Sequence, residues 1–355
     1  MLSVALALLP VVSFLLALFF LDSFKLLTTR AVLLAVAAGG AAALLVQGLH
    51  GAVFDAWAVD PRLFSRYGAP LTEEAAKSLY VAWLLRRHRI GFLVDAAILG
   101  FAVGAGFALI ENVDYLRNLA GAGPGLWVVR GFGTALLHGA ATAILAMIAH
   151  AFAERGGAAG GDTDGGQDAR SLVGLPAGLL AAVALHSLFN HFVLPPVIAT
   201  AVLLLALPVA FVLAFEKSEA STRRWLSVGL DDELDLLESI RAGTVLDTRV
   251  GGYLRSLTAR FPAESVADML CLLQVNLELS IRAKGVLLAR EAGFAPPVGQ
   301  DVRDNLEELR YLERAIGRTG LLAVRPILRR SSRDLWQIYK LSEIGGSSRP
   351  GPISP

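Results

Sequence analysis

The sequence predicts an all-α protein. It is expected to form a polytopic transmembrane helix bundle of about seven spans over residues 1–215, a helical cytosolic domain over 216–342 and a disordered tail over 343–355. Three observations carry this expectation. Hydrophobic residues make up 55% of the chain and the mean hydropathy is +0.57, values suited to lipid rather than water. Charge is segregated, with 12 Lys/Arg and 12 Asp/Glu in residues 1–215 but 20 and 19 in the shorter remainder. Apolar runs recur near the roughly 20 residues that a spanning helix needs. Neither part is basic enough to suggest nucleic acid as a partner. Cys271 is the single cysteine, which excludes an intrachain disulfide and a cysteine metal cluster.

The apolar runs place spans at 2–21, 31–49, 71–86, 91–113, 127–152, 172–192 and 194–215. The first lacks a basic leader and a small-residue cleavage site, so it is expected to remain as a spanning helix. The third is the weakest, since it opens on Thr72-Glu73-Glu74, and an interfacial or re-entrant helix is the alternative. Gly104, Gly106, Gly131, Gly133 and Gly139 suit close helix approach in the fourth and fifth. Lys25 and Arg30, then Arg86, Arg87 and Arg89, then Lys217, Arg223 and Arg224 fall on one side of a seven-span bundle. Positive residues mark the cytoplasmic side, so the N-terminus is expected outside and the C-terminal domain inside. Arg62 and Arg66 oppose that pattern, accompanied by Asp55 and Asp60. Gly156–Asp168 reads as a disordered loop. Beyond residue 216, Val266–Leu279 suits a buried helix that takes Cys271 into the core. Leu306, Leu309, Leu312 and Ile316 mark an amphipathic helix.

Carboxylates within apolar sequence are costly and usually functional. Glu73, Glu74, Glu111, His138, His186 and Asn190 all lie in or beside spans, and in the predicted topology they gather in the outer half of the bundle. Glu73 and Lys77 are four residues apart and are expected to pair; His186 and Asn190 share the same spacing and face one cavity. Phe107 stands one turn before Glu111, and Arg130 two turns before His138. A glutamate and a histidine can activate water for peptide hydrolysis, with a second histidine and an Asn amide on the oxyanion. Alternatively Glu111, His138 and His186 ligate a zinc ion, although no His-Glu-x-x-His pattern is present. Each group also has an ordinary explanation. The Glu pair can favour a helix N-terminus, Glu111 can sit at the interface, and a lone histidine can simply pack. His50, His88, His150 and His191, near helix ends, are taken as structural.

Glu73-Glu74-Ala75-Ala76-Lys77, Phe107 through Glu111-Asn112, Arg130 ahead of His138, and His186 through Asn190 resemble, in order and spacing, the PrsW family of bacterial intramembrane proteases. That family is distantly related to the CAAX-processing and bacteriocin-processing membrane proteases. The resemblance spans roughly residues 70–192. It implies a multi-pass enzyme of the bacterial inner membrane that cleaves membrane-associated proteins such as anti-sigma factors, with Glu73, Glu74, Glu111, His138 and His186 as catalytic or metal-binding groups. The mechanism is then either glutamate-type without a cofactor or zinc-dependent. The charged extension beyond residue 216 carries none of these motifs. A proton- or cation-coupled carrier and a membrane-tethered scaffold are the alternatives, though no repeated halves support the first.

Overall fold

The structure, a computed structural model, describes residues 1–22, 27–119, 121–159, 172–294, 299–328 and 332–344, and no strand occurs among them. Lys25, residues 160–168 of the expected loop and the segment 345–355 lie outside the described residues. Residues 343 and 344, assigned to the tail, belong to a helix, and the fifth expected span continues as helix to Ala159. The chain divides into two compact units, Met1–Ser218 and Glu219–Pro355.

In the first unit, α1 (Leu2–Leu21) and α2 (Thr29–Ala56) lead to a single turn, α3 (Pro61–Leu63), and a π-helical turn, Phe64–Gly68. They are followed by α4 (Ala69–Arg86), α5 (Leu93–Asn118) and α6 (Pro124–Val128). A second π-helical turn, Val129–Thr134, leads into α7 (Ala135–Ala159), and α8 (Leu175–Asn190) follows. The last helix of the unit, α9 (Pro196–Arg241), ends in the second. Local chemistry explains several starts. Thr28 accepts from the Ala31 amide at the head of α2, and Asp60 accepts from the Arg62 and Leu63 amides ahead of α4. Asp95 reaches back to the amides of Gly91 and Phe92 to open α5.

All seven expected spans fall on helices. Among the described residues, five stretches are long and apolar enough to cross a membrane: α1, α2, α5, Pro124–Arg155 and α9. α8 is apolar but has only 16 residues. α4 is not among the five, consistent with the charges it carries on Glu73, Glu74, Lys77 and Arg86.

α5 is the central helix, with 83% of its apolar window buried against 22% for α1. Close backbone approach makes that position possible. A Cβ on Gly106 would collide with the Val36 carbonyl of α2, and one on Gly104 with the His138 carbonyl of α7. In lipid, where apolar burial gives little advantage, such contacts and interhelical hydrogen bonds hold a bundle together. Gly104 therefore also sets how near the His138 turn lies to α5.

The second unit holds the remainder of α9, then α10 (Arg249–Leu257), α11 (Ala263–Glu291), α12 (Gln300–Val324) and α13 (Ser332–Ile344). Its core draws on Met269, Leu272, Leu273 and Leu279 of α11 with Leu306, Leu309 and Leu312 of α12. Each fully buried leucine contributes roughly 1.5–3 kcal/mol in a water-soluble setting. Cys271 is exposed, which corrects its expected place in the core. It lies two residues past Met269, about 200° around a helix of 3.6 residues per turn, and so faces away. An ion pair at 2.8 Å between the buried Lys284 and the half-buried Glu233 is extended by Ser280 and Gln337, which bond to each other and link α13 to α11.

Candidate active site

The Glu pair is carried by α4, whose start is held from two sides. Thr72 donates its hydroxyl to the Gly68 carbonyl and lies 2.7 Å from His50 Nε2 on α2. The end of α8 grips the preceding π-helical turn. Ser187 donates to the Arg66 carbonyl at 2.6 Å, Asn190 donates to the Ser65 carbonyl at 2.9 Å, and His191 Nε2 meets the Tyr67 hydroxyl at 3.0 Å. A π turn shifts backbone bonding by one residue and turns carbonyls outward, so external donors are what this segment requires.

Glu74 is fully buried. Its Oε1 accepts from Lys77 Nζ at 2.7 Å and lies 2.9 Å from His186 Nδ1, while its Oε2 lies 3.4 Å from the Thr142 hydroxyl, whose single proton also has the His138 carbonyl at 3.0 Å. Lys77 therefore pairs with Glu74, three residues away, and not with Glu73 as the four-residue spacing suggested. Lys77 Nζ also lies 2.9 Å from His138 Nδ1 and 4.1 Å from the centre of the Phe107 ring. Phe107 packs against His138 with ring centres 5.2 Å apart, forming an apolar wall.

The other ring nitrogen of His138, Nε2, is 3.0 Å from Glu111 Oε2, and that oxygen is 2.9 Å from Arg130. Arg130 is held in turn by Asn112 Oδ1 at 3.1 Å and by the face of Tyr115, 3.7 Å from its guanidinium carbon. Asn112 donates to the Ala7 carbonyl, which ties this chain of contacts to α1.

Glu73 differs from both neighbouring acids. Its Oε2 is buried and, among the described residues, has no hydrogen-bond partner. It lies 3.9 Å from His138 Nδ1 and 3.9 Å from His186 Nε2. The rings of His138 and His186 meet edge to face, with centroids 4.8 Å apart. Glu73, His138 and His186 present one donor atom each within 4.8 Å of one another.

The partners decide the tautomers. An ionised carboxylate only accepts, so Nε2 of His138 and Nδ1 of His186 carry the protons. The opposite nitrogens then carry the lone pairs and lie 3.9 Å from Glu73 Oε2, that of His138 accepting from Lys77 Nζ. Paired carboxylate–imidazole contacts behind two ligand nitrogens are the usual surroundings of a metal-binding histidine. Three donors with an unsatisfied carboxylate oxygen among them suit a zinc-like cation that keeps a fourth position for water. Among the described residues, Glu73, Glu74 and Glu111 face Lys77 and Arg130 as cations, so the charge balance also favours one.

The structure thus brings together Glu73, Glu74, Glu111, His138 and His186. The three-donor group is Glu73, His138 and His186. Glu111 stands behind His138, where the expected ligand set had placed it in front. The Asn190 amide is engaged with Ser65. Thr142 was missed by sequence reasoning; its only signal was its position one turn after His138.

Asn190→Ala is expected to lower thermal stability by about 1 kcal/mol, the worth of one hydrogen bond, and cleavage by less than tenfold. An oxyanion donor would instead lose about 100–1,000-fold. Steady-state cleavage rates beside an unfolding curve separate the two roles.

The model of one family, PrsW family intramembrane metalloprotease, matches residues 24–215, more than half of the chain and all of the groups just described. No curated protein and no solved structure matches it.

Proposed function

The chain belongs to the PrsW family of intramembrane metalloproteases, and from that membership we propose that this protease hydrolyses peptide bonds of membrane-associated proteins at the Glu73–His138–His186 centre. The observation that carries the proposal is the buried Glu73 Oε2, which lacks a hydrogen bond while two imidazole nitrogens face it. Glu73, His138 and His186 would hold a divalent cation, and its chemistry would be to polarise the scissile carbonyl and acidify a water.

The chain's own residues do the rest. Glu111 and Glu74 fix the two imidazoles through their outer nitrogens, so Nδ1 of His138 and Nε2 of His186 stay pointed at one place. Glu73 Oε2 would be the carboxylate ligand of the cation; in the glutamate-type mechanism, with no cation held, the same carboxylate would instead accept the proton of the attacking water and return it to the leaving amine. Glu74 is engaged by Lys77 and His186 through Oε1, and serves as a positioning residue. Arg130 holds Glu111, and Phe107 excludes solvent from the His138 ring.

The family favours a substrate with a transmembrane segment and a regulatory role, such as an anti-sigma factor. The family also favours a bacterial inner-membrane location, and the distribution of positive residues supports an orientation with the C-terminal domain in the cytoplasm. Residues 1–215 would then form the protease bundle, and 216–342 a helical domain available for regulation.

The test uses the full-length chain in liposomes with a library of single-span reporters. Cleavage is expected, is stopped by a membrane-permeant chelator and is restored by a divalent cation. Cleavage that survives complete removal of metal would reject the metal-dependent mechanism. Proton flux without cleavage would favour a carrier instead.

A further inference from the structure

We infer that Lys77 is a resident cation that competes with the metal for His138, so that the ion binds only when the lysine lets go of Nδ1. The inference rests on the proposed cation site at Glu73, His138 and His186. Nδ1 is the nitrogen that His138 turns toward Glu73 Oε2, and Lys77 Nζ lies 2.9 Å from the same atom. An imidazole nitrogen has one in-plane lone pair. An ammonium offers three donors and no acceptor, so Lys77 cannot ligate a metal and can only take that lone pair from it.

The alternative in which Nδ1 donates is closed, because an ammonium cannot accept. The Nε2 proton is already placed against Glu111 Oε2. Lys77 has a second anchor in Glu74 Oε1 at 2.7 Å, and the Phe107 face lies 4.1 Å away. It can therefore leave Nδ1 and keep a carboxylate and a ring face for its charge. The two occupants also repel each other across a few ångströms of buried space. Without metal, Lys77 supplies the positive charge that holds Glu74 and His138 in place. With metal, that task passes to the ion.

The lysine thereby lowers metal affinity while keeping the empty centre assembled. The protein would load only where the free ion is plentiful, and it would not collapse when stripped.

The test measures zinc binding to the full-length protein in detergent, by competition with a chromophoric chelator. Lys77→Met is expected to tighten zinc binding by about 10–100-fold, the range that groups behind a ligand command. Lys77→Arg keeps the cation and is expected to bind no tighter than wild type. Lys77→Met alone strands the Glu74 carboxylate and can fail to fold, so the double variant Glu74→Gln/Lys77→Met, in which neither charge of the pair remains, is also compared with wild type. Tighter binding without the lysine in the folded backgrounds supports the inference. One zinc bound with unchanged or weaker affinity overturns it and leaves the metal centre standing. No zinc bound to any of the proteins overturns both.

Discussion

Glu73→Gln is expected to abolish peptide-bond cleavage and leave the protein folded. Glutamine matches glutamate in shape, and Oε2 of Glu73 has no hydrogen bond to lose. The amide offers no basic oxygen for the water's proton and is a poor ligand for a hard cation. General acid–base groups contribute about 100–10,000-fold, so the rate should fall by about 1,000-fold. Single-turnover cleavage of a transmembrane reporter gives the rate, and the unfolding temperature in detergent gives the fold. A variant that retains a tenth of wild-type turnover would remove Glu73 from the chemistry.

Glu74→Ala is expected to behave in the opposite order, losing the fold before the chemistry is reached. Its carboxylate is the shared partner of Lys77, His186 and Thr142, and neither Glu74 nor Lys77 has any exposed side chain. Removing it leaves an ammonium buried without its anion, a loss of about 3–5 kcal/mol for broken buried pairs. Thermal unfolding of the purified variant, or its yield from the membrane fraction, reports the effect. Wild-type stability in Glu74→Ala would show that Lys77 finds another anion, and the division of labour between the two acids would fail. Together the two variants separate adjacent residues that look equivalent in the sequence.

The helices were readable because lipid imposes a strong condition: roughly 20 apolar residues with few charges. All seven expected spans coincide with helices, although only five satisfy length and composition. α4 shows why the signal fades there. Its buried groups include Glu73, Glu74, Lys77 and Ser78, so its polarity reflects what it faces inside the bundle. The identities of five of the central residues were also legible, since acids and histidines in apolar sequence have few other reasons to exist.

Their roles were less legible. Four-residue spacing suggested Glu73 with Lys77, but the lysine turned to Glu74, because His138 on α7 offers its Nδ1 on that side. The same spacing suggested that Asn190 would join His186 in the cavity. The π-helical turn ahead of α4 exposes carbonyls, and Asn190 satisfies one of them. Glu111 was expected among the ligands, yet Asn112 and Tyr115 hold the Arg130–Glu111 pair, which meets His138 at Nε2.

The sequence by itself determined a helical membrane protein, the family motifs and the acids and histidines proposed to carry the chemistry. Composition and spacing are properties of one segment at a time. Only the tertiary structure decided which oxygen lacks a partner and which imidazole nitrogen faces it. Those choices depend on where α4, α5, α7 and α8 approach one another, and a hydrogen bond is made or lost within a few tenths of an ångström.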